Sequence, residues 1–126
     1  MNRLLVVDDE ANIRLLYAEE LKDEGYEVVT AASSAEAAEK LQGSVFDLAV
    51  LDIKLKNESG IELLQKLVKE RHDMPVILCS AFSCYKDDFS AWLADGYVVK
   101  SGDLTELKQE IARVLAKKAQ KAKAGV

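Results

Sequence analysis

Three short apolar runs in this chain each end on charge. Leu4-Leu5-Val6-Val7 stops at Asp8-Asp9-Glu10, Leu48-Ala49-Val50-Leu51 stops at Asp52, and Tyr97-Val98-Val99 stops at Lys100. Unbroken runs of Leu, Val and Ile of this length read as strands buried on both faces, the condition of a parallel sheet between layers of helix. In such sheets the loops at the carboxyl ends of the strands form the ligand crevice. Strands running the same way would bring carboxylates and an ammonium into one pocket. That gathering is costly unless a cation and a phosphate-like anion complete it. The trio therefore signals function rather than folding.

The rest of the chain supports that sheet. Candidate strands lie at 3–8, 27–31, 47–52, 75–80 and 96–100, with helical patterns between them. The second strand, Glu27-Val28-Val29-Thr30-Ala31, is only half apolar and suits an edge. Ile13, Leu16, Tyr17 and Leu21 keep helical spacing, and Gly25 supplies a left-handed stop. Ala35 to Leu41 predicts a short second helix, Ile61, Leu64 and Leu67-Val68 a third, and Leu104, Leu107, Ile111 and Val114-Leu115 a fifth. Ser33-x-x-Glu36, Ser59-x-x-Glu62 and Asp103-x-x-Glu106 all have capping-box spacing. The fourth helical pattern, 83–95, holds only Phe89, Trp92 and Leu93 at workable spacing and predicts a short helix dependent on packing. Five alternations of strand and helix give a doubly wound α/β three-layer sandwich with right-handed crossovers. A strand order of 2-1-3-4-5 would set Asp8 and Asp9 beside Asp52.

Composition excludes several classes of function. A chain of 126 residues fits one domain, with residues 1–117 as its body and 118–126 as a basic tail or the start of a linker. No apolar stretch approaches membrane-spanning length, and Met1-Asn2-Arg3 leads into a run too short for a signal peptide. The expected compartment is the cytoplasm, with no membrane partner. Residues 103–126 carry six Lys/Arg against three Asp/Glu, which leaves a charge of −8 on residues 1–102 of the chain's −5. So acidic a body argues against nucleic-acid binding. Cys79 and Cys84 lack metal or redox spacing, and His72 stands among Glu70, Arg71 and Asp73 as an ordinary surface residue.

Each charged or hydroxylated strand end has a chemical job open to it. Carboxylates with few other protein ligands suit Mg²⁺, which keeps waters and favours phosphate oxygens. Asp52 can attack phosphorus to form an acyl phosphate, with the cation offsetting the repulsion of the incoming group. The Ser80 hydroxyl can donate to a phosphoryl oxygen, with Ala81 leaving room beside it. Lys100 can pair with the same group as a point charge.

These residues, in this order, resemble the receiver domain of bacterial two-component response regulators over residues 3 to about 116. The matching positions are Asp8-Asp9-Glu10, Asp52 with Gly60 after it, Ser80-Ala81, and Tyr97-Val98-Val99-Lys100. The resemblance implies a flavodoxin-like fold and a signalling switch rather than an enzyme. It implies that Asp52 accepts phosphate from a histidine kinase or histidine phosphotransferase. Mg²⁺, or Mn²⁺, would be bound by Asp9, by Asp8 mainly through water, by Asp52 and by the backbone carbonyl of Lys54. Ser80 and Tyr97 would act as the switch pair. The fourth helix, fifth strand and fifth helix would form the responding face, read by a downstream protein or an output domain absent from this chain.

Four features depart from the family pattern. Lys56 stands four residues after the acceptor and Ser101 stands after Lys100, both places where proline is common. A non-proline cis bond costs about 2.5–4 kcal/mol, so a trans Lys100–Ser101 bond is expected. Only 19 residues separate Ser80 from Lys100, which shortens the fourth helix or its loop, and Ser80 replaces the commoner threonine. Lys54 and Phe82, each two residues past a site residue, are placed to screen a phosphoryl group from water and to slow its hydrolysis. The competing readings are a receiver-fold interaction module that no longer cycles phosphate, and an aspartyl phosphatase. The second would require an acid where Lys54 stands.

Overall fold

The computed structural model describes residues 2–52, 54–55, 58–70, 74–80, 94–99 and 104–124. Its apolar runs all join one sheet, with residues 4–7, 48–51 and 76–79 in inner strands and 97–99 in an edge strand. In chain order the main elements are β1 (Arg3–Val7), α1 (Ala11–Asp23), β2 (Glu27–Ala31), α2 (Ser34–Gly43) and β3 (Leu48–Asp52). A small antiparallel hairpin, β4 (Lys54–Leu55) and β5 (Glu58–Ser59), follows. The chain continues through α3 (Gly60–Glu70), β6 (Val76–Ser80), β7 (Gly96–Val99) and α4 (Thr105–Ala124). The large sheet has the order β2-β1-β3-β6-β7 with every pairing parallel. Numbered by its own strands, that is 2-1-3-4-5, as the sequence predicts.

Alternation along each strand sorts side chains onto two faces. Leu4, Val6, Leu48, Val50 and Ile77 face α1 and α4, packing with Leu21, Leu107 and Ile111. Leu5, Val7, Ala49, Leu51 and Leu78 face the other way, against Ala37 and Leu41 of α2 and Leu63, Leu64 and Leu67 of α3. The half-apolar β2 is indeed an edge strand, exposed at Glu27 and buried by Ala31.

Local chemistry sets where the helices stop and start. Gly25 has φ +95°, and its N–H donates to the Lys22 carbonyl (3.0 Å) while Tyr26 N–H donates to that of Leu21 (3.3 Å). This is a complete Schellman closure, with Tyr26 and Leu21 in one apolar cluster. The Ser33 hydroxyl caps α2 by accepting from Glu36 N–H at 3.2 Å. The Glu36 carboxylate reaches back to the N–H of Ala32 at 3.1 Å, one residue before the cap. Ser59 directly precedes α3. In α4 Lys108 N–H donates to the Leu104 carbonyl, while Asp103 lies outside the described residues.

α4 runs without a break at 117 and continues to Ala124, because Ala and Lys are strong helix formers. Lys108 ties it to Glu20 and Glu24 of α1 at 3.1 and 3.7 Å, and Arg113 donates to the Asp95 carbonyl just before β7. Of the fourth helical pattern only Ala94 and Asp95 are described. Asp95 clamps β6 from both sides: its N–H donates to the Val76 carbonyl (2.7 Å) and its carboxylate accepts from Val76 N–H (2.9 Å). Among the described residues no helix is long and apolar enough to cross a membrane.

Candidate functional site

The site grows out of strand register. Val7 is level with Leu51, so the next residue along each strand brings Asp8 beside Asp52. Asp8 extends the ladder one step past β1, its N–H donating to the Ala31 carbonyl at 3.1 Å. By alternation Asp8 follows Leu4 and Val6, and Asp52 follows Leu48 and Val50, on the face covered by α1 and α4. One carboxylate oxygen from each of Asp8, Asp9 and Asp52 lies within 4.8 Å of the other two. Asp8 is 2% exposed, Asp52 6%, and Asp9 half-buried.

Two interactions fix the turn that carries the acids. The Asp8 Oδ1 atom accepts from Glu10 N–H at 2.9 Å, and the Arg14 guanidinium donates to the Asp8 carbonyl at 2.7 Å. The first secures the side chain and the second secures the backbone. α1 then begins at Ala11, with Arg14 N–H donating to the Glu10 carbonyl.

Three carboxylates at this spacing, two of them nearly shut off from water, repel one another. A hard divalent cation with oxygen ligands relieves that repulsion. The donor set therefore fits Mg²⁺ or Mn²⁺ and offers nothing suited to a soft metal.

The other predicted positions fall into three groups. Ser80 ends β6 level with Val99, and Lys54 pairs with Ser59 in the small hairpin, where only their backbones are described. Tyr97 is half-buried on the opposite sheet face from the carboxylates, against the cluster of Leu51 and Leu78. Lys100 with its bond to Ser101, Phe82 and Lys56 lie outside the described residues.

The acidic turn at the end of β1, beside Asp52 in a sheet of this order, matches a known domain. A family model described as the response regulator receiver domain matches residues 4–112. The chain belongs to that family. It is a receiver domain of two-component signalling.

Solved and curated relatives agree with this receiver assignment. The response regulator TrrA of Thermotoga maritima, solved in complex with Mg²⁺-BeF, superposes with a TM-score of 0.86 at 46% identity, covering 90% of this chain and 99% of TrrA. The same protein has been solved in complex with the histidine kinase ThkA. AlgB, the alginate biosynthesis transcriptional regulatory protein of Pseudomonas putida, is 37% identical over 90% of this chain. ArlR of Staphylococcus aureus is 31% identical over 96%. The present receiver spans 26% of the length of AlgB and 56% of ArlR.

Two residues of this receiver lie beside the acids although their sequence context marks neither: Arg14, which holds the Asp8 carbonyl, and Tyr17, buried on the same sheet face. Arg14 reads as a solvent-facing residue of α1. Tyr17, 3% exposed, reads as core because it keeps the helical spacing of Ile13 and Leu21. Burial, and then the charges of Cys79, Asp8 and Asp52, raise its pKa above the ordinary tyrosine value. The available signal was chemical: a hydroxyl on the buried stripe of the helix that follows the acids.

Proposed function

We propose that this receiver accepts a phosphoryl group on Asp52 from the phosphohistidine of a histidine kinase or histidine phosphotransferase. The observation that carries the reading is the meeting of Asp8, Asp9 and Asp52 within 4.8 Å at neighbouring strand ends. An Asp52 carboxylate oxygen would bond to phosphorus as the phosphorus–nitrogen bond of the donor breaks, and the imidazole nitrogen would leave with that electron pair. Asp9, Asp8 through water, Asp52 and the Lys54 carbonyl would hold Mg²⁺. When bound, the cation offsets the charge of the carboxylates and of the phosphoryl oxygens. Ser80 and Lys100 would contact the phosphoryl oxygens, and Tyr97 would shift behind Ser80. Lys54 and Phe82 would screen the acyl phosphate from water.

The responding face would comprise residues 83–95, β7 and α4. A downstream protein or output domain would read it, in the cytoplasm. The complex of TrrA with a histidine kinase supports a partner of that class. A second reading, a receiver-fold interaction module without phosphate turnover, is favoured by Ser101 and Lys56 in place of the usual prolines.

Incubation with acetyl phosphate and Mg²⁺, followed by intact mass, separates the two. The phosphoacceptor reading expects a gain of one phosphoryl mass that Asp52→Asn abolishes. An unmodified wild-type protein would favour the module.

A further inference from the structure

The acids of the pocket are not held equally. Asp52 lies within β3. Asp8 is pinned twice, its N–H donating to the Ala31 carbonyl at 3.1 Å and its Oδ1 accepting from Glu10 N–H at 2.9 Å. Asp9 stands in the bend between β1 and α1, half-buried, and its carboxylate faces the other two without a hydrogen bond to another described residue.

Asp9 is reached through its backbone. The Asp8 carbonyl and the Asp9 N–H belong to one planar peptide, so holding the carbonyl oxygen sets the direction in which the chain enters Asp9. Arg14 holds that oxygen, its Nη1 donating to it at 2.7 Å, a short charge-assisted bond. The arginine is itself rooted in the first turn of α1, where its N–H donates to the Glu10 carbonyl at 3.0 Å. The guanidinium thus closes the bend from strand end to helix start, and among the described residues it meets the backbone there and no carboxylate.

We propose that Arg14 is a positioning residue of the acid pocket: by fixing the Asp8–Asp9 peptide it keeps the Asp9 carboxylate on the point shared with Asp8 and Asp52. This rests on the Mg²⁺ site of the phosphoacceptor reading. The sign of the effect separates positioning from charge. A guanidinium beside a cation site repels the cation, so by charge alone its removal should tighten Mg²⁺ binding. Loss of positioning should weaken it.

The test compares wild type with Arg14→Met, which keeps the stem and removes the donors, and with the shorter Arg14→Gln, both substitutions by good helix formers. Mg²⁺ is titrated while amide shifts are followed, and amide hydrogen exchange is measured without metal. Both variants should bind Mg²⁺ about three- to tenfold more weakly, the scale of one hydrogen bond. Their Asp9 and Glu10 amides should exchange faster than those of the wild type before any metal is added. Arg14→Lys, which retains a donor on a similar stem, should recover most of the affinity. In an Asp9→Asn background Arg14→Met should have no further effect, because the two residues act through one carboxylate. Equal or tighter Mg²⁺ binding by Arg14→Met or Arg14→Gln overturns the positioning role alone, as does a loss that persists in full without the Asp9 carboxylate. A wild type that binds no Mg²⁺ overturns the phosphoacceptor reading and this inference with it.

Discussion

Asp8 and Asp52 are charged residues at positions where the alternation of a buried strand alone calls for Leu or Val. Both continue strands whose preceding residues are buried on the same face, so the sheet itself fixes their separation. Asp9 sits one step outside, half-buried, with its carboxylate turned to the same point. Asp9→Asn should weaken Mg²⁺ binding by about 10- to 100-fold, at least the range seen when outer partners of a metal are lost. Isothermal titration at low ionic strength would measure it. These acids were legible because each interrupts an apolar run. Tyr17 was not, since a buried tyrosine at helical spacing looks like any core residue until the strands beneath it are placed.

Tyr17 also makes a pH prediction. Its folded-state pKa is raised, first by burial and then by Cys79, Asp8 and Asp52, above the unfolded value of about 10. The folded state therefore holds its proton longer than the unfolded one. The stabilisation is fully present below pH 10 and is lost as pH rises from there toward the folded value. Urea unfolding at pH 9 and pH 11 should show a loss of stability that is smaller in Tyr17→Phe.

Among the elements, the inner strands were the most legible and the hairpin β4/β5 the least. Strands of five residues buried on both faces leave a continuous apolar record, whereas strands of two residues leave no periodicity at all. The edge strand β2 stood between these extremes, because half of it meets solvent. Helix ends were marked more sharply than helix interiors. Gly25→Ala should destabilise the domain by about 1–2 kcal/mol, because a Cβ is strained at φ +95° although the space around it is open. Ser33→Ala should cost about 1 kcal/mol by removing the α2 cap. Chemical denaturation of the two variants, singly and combined, would check both values. The elements are far enough apart in the fold for the effects to add.

For the whole molecule, the parallel sheet collects every strand's carboxyl end on one side. A ligand bound there touches several elements at once and should stabilise all of them together. Beryllofluoride with Mg²⁺ at one hundred times its dissociation constant should add about 2.7 kcal/mol of stability. A calorimetric scan should show the rise, and Asp52→Asn should abolish it.

The opposite end of the sheet is tied by different contacts. Arg3 N–H donates to the Asp47 carboxylate at 2.7 Å, its guanidinium pairs with Glu27, and Lys118 reaches the Asp47 carbonyl. Val45, 80% exposed, lies in the loop leading to that end. About 17 Å of strand, five residues at the usual rise, separates it from the chemistry. A cysteine introduced at Val45 would give a tether for a dye or a surface, leaving the reacting pole of the molecule facing outward and unobstructed.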